Sequence, residues 1–284
     1  MSLCWRIAQV SLYSVLLTFA AYSSPPPSSP TSPQPEPSHD PRLAQLRQLL
    51  PADALLLGEQ HDAPAHQRIQ QQVVLALAAQ GQLAALVLEM ANQGGSTRGL
   101  PVQATEADIQ AALRWDERAW PWGSYGPAVV SAVRAGVPVL GANLPMSALR
   151  ATMGDSSLDQ RLPSAALAEQ QQRIRSGHCD MLPESQIAPM TRMQIARDRA
   201  MAQTITEAAQ AGRTVVLLAG HGHVTPALGV PQHLPLTFKA KTVLLHASQG
   251  DSAIETIANF DLVWPTGPIP LRDYCAEFKA TRKP

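Results

Sequence analysis

Six short apolar runs punctuate the chain, and the stretches between them carry apolar residues at helical spacing. The runs fall at 53–58, 84–89, 137–142, 214–219 and 241–247, with a shorter sixth at 262–264. Over 64–80 the apolar positions Ile69, Val73, Val74 and Leu77 recur at intervals of three and four, and Gly81 closes the pattern. Helical patterns also cover 105–115, 127–135, 165–176 and 187–211. Runs that are apolar on both faces belong to buried strands, and helices alternating with them cover both sides of a sheet. The pattern therefore predicts an α/β fold, a mainly parallel sheet flanked by helices, with an additional helical insertion. No repeat of fixed period interrupts it.

Composition bounds what such a domain does. Of 284 residues, 45% are hydrophobic and only 15% charged, enough apolar surface for a core without disulfide staples. The 22 basic side chains balance 22 acidic ones, so no overall field draws the chain to nucleic acid, and none is expected as a partner. Three cysteines without a C-x-x-C pair exclude a disulfide scaffold and give no structural zinc site. Arg6 precedes an apolar stretch from Ile7 to Ala21, shorter than the ~20 residues a bilayer span needs. Residues 1–23 thus read as a signal peptide with cleavage after Ser23. Eight prolines in the eighteen positions from Ser24 to Pro41 make 24–41 an extended Pro/Ser-rich linker. The folded domain is expected over 42–250, with 251–284 a C-terminal extension.

In a parallel α/β sheet, ligands bind beyond the carboxyl ends of the strands. The first run exits into Gly58-Glu59-Gln60-His61 and the second into Glu89. The third leaves through Gly141-Ala142-Asn143, and the fourth through Gly220-His221-Gly222-His223. Every exit carries a carboxylate, an amide or an imidazole. Gly58, Gly220 and Gly222 permit positive φ and close backbone approach at these turns. Glu59 and His61, two apart on extended backbone, point to one side. Glu59, His61, Glu89, His221 and His223 are a donor set for a divalent metal, or for a general base held by an acid. Charged residues on 187–211 read as a solvated face, except Arg197 and Asp198, which border these exits.

Two further clusters carry chemistry. His178-Cys179-Asp180-Met181 sets imidazole, thiol and thioether side by side, soft ligands for a transition metal or haem iron. Cys179 has an alternative as a disulfide partner of Cys275. The stretch Trp115 to Tyr125 concentrates three of the five tryptophans, and with Trp122 and Tyr125 offers a surface for a flat apolar ligand. Packing of the loop onto the sheet is the plainer reading of Trp115 and Trp120. No phosphate loop, dinucleotide fingerprint, H-E-x-x-H, nucleophile elbow or C-x-x-C-H haem attachment site is present.

Taken in order, these stretches resemble the ChaN-type haem-binding uptake proteins of the Tiki superfamily. The similar motifs are Leu-Leu-Leu-Gly-Glu-Gln-His-Asp-Ala-Pro-Ala-His (55–66), Leu-Val-Leu-Glu-Met (86–90) and the aromatic stretch Trp115 to Pro127. Val-Leu-Gly-Ala-Asn-Leu-Pro (139–145), Gly-His-Cys-Asp-Met-Leu-Pro-Glu (177–184) and Arg-Asp-Arg-Ala-Met-Ala (197–202) follow. Leu-Leu-Ala-Gly-His-Gly-His-Val (217–224) and Gly-Val-Pro (229–231) complete the series.

The resemblance implies an exported, periplasmic protein that binds haem non-covalently in iron acquisition, a binding and uptake protein rather than an enzyme. It implies a tyrosine on the haem iron, two haems paired across a homodimer, and an outer-membrane haem receptor as a partner. Tyr125 is the tyrosine inside a matching motif; Trp122, Asn143, His178, Cys179 and Met181 complete the expected cofactor-binding set. Family lipoproteins carry a lipidated cysteine after the signal, which this chain lacks, so membrane association has no such anchor. The superfamily also includes metal-dependent peptidases and is similar to erythromycin-esterase-like hydrolases. That likeness implies an alternative, a metal-dependent hydrolase working through Glu59, His61, Glu89 and His223.

Overall fold

The computed structural model describes residues 40–247 and 259–281. The expected signal peptide and all but the last two residues of the expected linker lie outside them, as does the expected domain boundary near 250. Six strands form one sheet: β1 (Ala54–Glu59), β2 (Leu83–Asn92), β3 (Val139–Asn143), β4 (Thr214–Gly220), β5 (Ala240–Ala247) and β6 (Leu262–Thr266). Their order is β3-β2-β4-β1-β5-β6, and every pairing is parallel. All six strands of the sequence pattern are present. The sixth, in the stretch expected as an extension, pairs with β5 and brings Trp264 into the core at 1% exposure.

Central strands need partners on both edges and cover on both faces, and β1 shows this in full. Ala-Leu-Leu-Leu-Gly-Glu is buried at all six positions between β4 and β5. On one face Leu55 and Leu57 meet α2 (Pro64–Ala79), α3 (Glu106–Leu113) and α4 (Trp122–Arg134) through Val73, Leu77, Ile109 and Val129. On the other, Ala54 and Leu56 pack against Met201 and Ile205 of α7 (Glu184–Ala208). A smaller apolar cluster joins α7 to the segment before α6 (Ser164–Gly177), with Leu158 and Leu162 against Ile195.

Helix α4 begins five residues before the expected Pro127. Trp122 and Tyr125 are both buried, and that burial winds the chain early enough to place proline in the second turn. Thr105 and Asp108 make a reciprocal capping box at the start of α3, as their spacing predicts. The chain leaves β1 toward β2 on one side and leaves β4 toward β5 on the other. The two neighbouring strands therefore part company at their carboxyl ends, the position of the ligand crevice in sheets of this kind.

Candidate functional site

Glu59 is the last residue of β1 and is fully buried. A lone carboxylate there would be very costly, so its partners decide its state. Four groups reach it. Tyr125 donates its hydroxyl to Oε1 at 2.6 Å, and His61 Nδ1 lies 2.7 Å from the same oxygen. Gln67 and Gln70, one helical turn apart on α2, each donate an amide N–H to Oε2 at 2.9 Å. The two glutamines are what the sequence pattern did not reveal: at i and i+3 they read as an ordinary polar helix face, yet both are buried.

His61 stands at the mouth of this cluster. Its ring contacts Trp120 edge-on at 4.9 Å between centroids, and its Nε2 faces Glu89 Oε2 at 3.9 Å. Burial opposes charge on the ring, but the carboxylates of Glu59 and Glu89 outweigh it and raise its pKa. Gly220 makes this packing possible. A Cβ there would lie 2.8 Å from His61 Nε2, and one at Gly58 3.1 Å from the Cα of His221. Close approach, not positive φ, is what these two glycines supply; the positive-φ glycines lie elsewhere, and a Cβ on Gly222 would meet nothing.

Behind His61 lies a second buried chain of charge. Glu89 accepts the backbone N–H of Gly220 at 2.7 Å and faces His223 Nε2 at 3.3 Å. His223 Nδ1 lies 2.5 Å from Asp198 of α7. Burial disfavours the imidazolium, yet the two carboxylates prevail and raise the His223 pKa to about 10. Burial likewise opposes ionisation of Glu89, but His223 and His61 pull its pKa down to about 2. Asp198, where burial dominates, rises to about 6. At neutral pH the cluster carries an imidazolium between carboxylates, with Glu59 alongside. Asp198, set apart in the sequence from the solvated face of its helix, is thus a working member of the group.

The expected donor sets are only partly assembled. Among the described residues, no group of three or more His, Cys, Asp or Glu side chains is arranged to hold a metal ion. The divalent-metal reading of Glu59, His61, Glu89, His221 and His223 meets a physical obstacle. Both oxygens of Glu59 are already hydrogen-bonded, His223 is held by Asp198, and His221 is exposed at the start of α8 (His221–Val224). Cys179 is no thiolate ligand either: its sulfur is bonded to Cys275, the alternative pairing.

The cofactor-binding set is spread over the molecule. Tyr125 is 2% exposed, with its hydroxyl spent on Glu59. Trp122 is buried against Gly126 and donates its indole N–H to Glu106 at 2.6 Å. Trp115 donates to the Trp120 carbonyl at 2.9 Å, so the aromatics pin their loop onto α4. Asn143 caps the end of β3, its Oδ1 accepting the Leu144 N–H at 2.9 Å. His178 and Met181 are half-buried in the α6–α7 loop. The disulfide ties that loop to a C-terminal helix (Tyr274–Thr281), whose Tyr274 donates its hydroxyl to Asp62 beside His61.

No curated protein sequence matches the chain. The fold is that of a structure described as cofacial heme binding to ChaN of Campylobacter jejuni. The TM-score is 0.61 and the identity 24%, over 73% of this chain and 87% of that one. A structure of the type III effector HopBA1 aligns at a TM-score of 0.45 and 15% identity, over 76% of this chain and 88% of that one. A family profile described as haem-binding uptake, Tiki superfamily, ChaN, matches residues 45–234, a span that holds four of the six strands and every residue of the buried cluster. The chain belongs to this ChaN-type family of the Tiki superfamily.

Proposed function

We propose that this protein binds haem non-covalently and serves haem or iron uptake. The observation that carries the reading is the family match over residues 45–234. Non-covalent attachment follows from chemistry: no C-x-x-C-H site is present, and Cys179 and Cys275 are joined to each other. The expected signal peptide motivates export to the periplasm, with the Pro/Ser-rich segment as a spacer. The relative from Campylobacter jejuni is described as binding haem cofacially, which motivates a homodimer with paired haems here. An outer-membrane haem receptor is the proposed delivery partner.

The test is titration of the purified protein with ferric haem, followed by the visible spectrum and by the mass of the complex in solution. A saturable Soret band, with a doubling of mass at saturation, is expected. Free-haem spectra at every ratio would overturn the haem reading; saturation with no change in mass from a monomer would overturn pairing alone.

One arrangement favours a second reading, in which His61 is a general base. Its Nδ1 is held by a buried carboxylate at 2.7 Å while the ring remains partly open to solvent. If so, turnover of an ester or peptide panel disappears in His61→Ala while haem binding persists.

A further inference from the structure

Beyond β6 the chain runs from Gly267 to Asp273 without regular structure and then forms the C-terminal helix Tyr274–Thr281. This strap lies outside the span of the family profile, 45–234. Much of its order comes from within. Asp273 accepts the Ala276 N–H at 2.8 Å, and Arg272 pairs with Glu277 at 2.7 Å. The Arg272 guanidinium also stands 5.4 Å from the centre of the Tyr274 ring. Pro268 and Pro270 fix φ ahead of the helix. Among the described residues from Gly267 to Ala280, only Ile269 and Cys275 are even half-buried. Apolar burial on that scale does little to hold the strap on the domain.

Two neighbouring side chains tie it down, and they reach different banks of the strand-end crevice. Tyr274 donates its hydroxyl to Asp62, in the turn between β1 and α2 and next to His61. Cys275 is bonded to Cys179 in the α6–α7 loop, 96 positions away. α2 packs on one face of the sheet and α7 on the other. Because α7 leads into the amino end of β4, its first turn, beside Cys179, stands at the carboxyl end of the sheet. From the carboxyl end of β6 the strap therefore passes β5, meets the exit of β1 at Asp62 and reaches the α7 side at Cys179. That path runs beside His61, whose side chain is 40% exposed. Both cysteines are half-buried, which leaves the bond open to attack by a thiolate.

We infer that residues 267–281 are a redox-released gate: the Cys179–Cys275 bond holds the strap across the mouth of the buried cluster, and its reduction opens the approach to His61. The reductant is a dithiol, of the kind a disulfide oxidoreductase presents. One of its thiolates attacks a sulfur of the bond, forms a mixed disulfide and expels the other cysteine as a thiolate. Its second thiolate then displaces the remaining cysteine, and the reductant leaves as its own disulfide. Two electrons pass to the protein, and the two protons of the dithiol end on Cys179 and Cys275. A single exposed hydrogen bond such as Tyr274–Asp62 competes with water and holds the freed strap only weakly. The gate works whatever the cluster binds or turns over.

The test labels the histidines of the full chain with diethyl pyrocarbonate at one pH and locates the adducts by peptide mass. Oxidised protein is compared with protein reduced by dithiothreitol, capped with iodoacetamide and desalted, and with Cys275→Ser treated both ways. Reduction is expected to make His61 react severalfold faster and to raise hydrogen exchange in 267–281, while buried His223 stays unlabelled. Cys275→Ser is expected to react at the fast rate with or without dithiothreitol. An equal His61 rate in oxidised and reduced protein overturns the gate, as does a Cys275→Ser variant as slow as oxidised wild type. If dithiothreitol leaves the bond intact in the folded protein, or His223 becomes labelled along with His61, the bond is a staple of the fold and not a release. Haem is absent from the assay, so its outcome is independent of the haem-binding reading.

Discussion

At the scale of single residues, the protein concentrates its cost and its chemistry in a few buried polar groups. Tyr125→Phe removes the hydroxyl that Glu59 accepts and leaves a buried carboxylate short of a donor. The expected loss is about 1–3 kcal/mol, read as a lower denaturant midpoint at unchanged slope. His223 gives a pH signature. Its pKa rises on folding from the ordinary 6.5 to about 10, so its stabilising contribution is whole below pH 6.5 and is lost as pH climbs through 10. Glu89 runs the other way, from 4.5 to about 2, and contributes above pH 4.5 but not once pH has fallen through 2. The stability gap between wild type and His223→Gln is therefore expected to narrow steadily from pH 6.5 to 10. A gap that stays constant over that window would mean that the ring is neutral when folded. Gly220→Ala adds a methyl where His61 already sits, and a changed His61 proton resonance is the measure of its displacement.

At the scale of elements, strands were legible and their partners were not. Six apolar runs became six strands because a residue buried on both faces must be apolar whatever its neighbours are. Register could not be read, since Glu59 opposite Gly220 follows only from pairing residues 161 positions apart. Docking also decides Gln67 and Gln70, which look like solvent-facing helix residues until α2 lies against the end of β1. The aromatic stretch illustrates the limit in another way. Trp122 suggests a ligand surface, yet its indole N–H is bonded to Glu106 of α3, while Trp115, bonded to the Trp120 carbonyl, packs the loop as the plainer reading has it. Leu57→Ala, in the middle of β1, is expected to cost about 2–5 kcal/mol. Trp264→Ala on the edge strand is expected to cost about 3–5 kcal/mol; a near-neutral result would show that β6 is dispensable to the core.

At the scale of the whole molecule, the sequence by itself determined the class of fold and the identity of most cluster residues. Both rest on local facts: apolar runs of strand length, and polar residues placed at strand exits, where a parallel sheet turns its backbone toward a ligand. Glu59, His61, Glu89 and His223 were found this way, and Asp198 through its nearness to them. Only the tertiary structure decided what those residues are to one another. It showed a hydrogen-bonded carboxylate network in place of a metal donor set, and a disulfide in place of a thiolate. It also paired Arg192, which reads in sequence as part of a solvated helix face, with Asp159, 33 positions away. The reason is that a charge declares its role only through its partners. Whether a guanidinium is paired depends on carboxylates brought near by folding, and no spacing along the chain reports that.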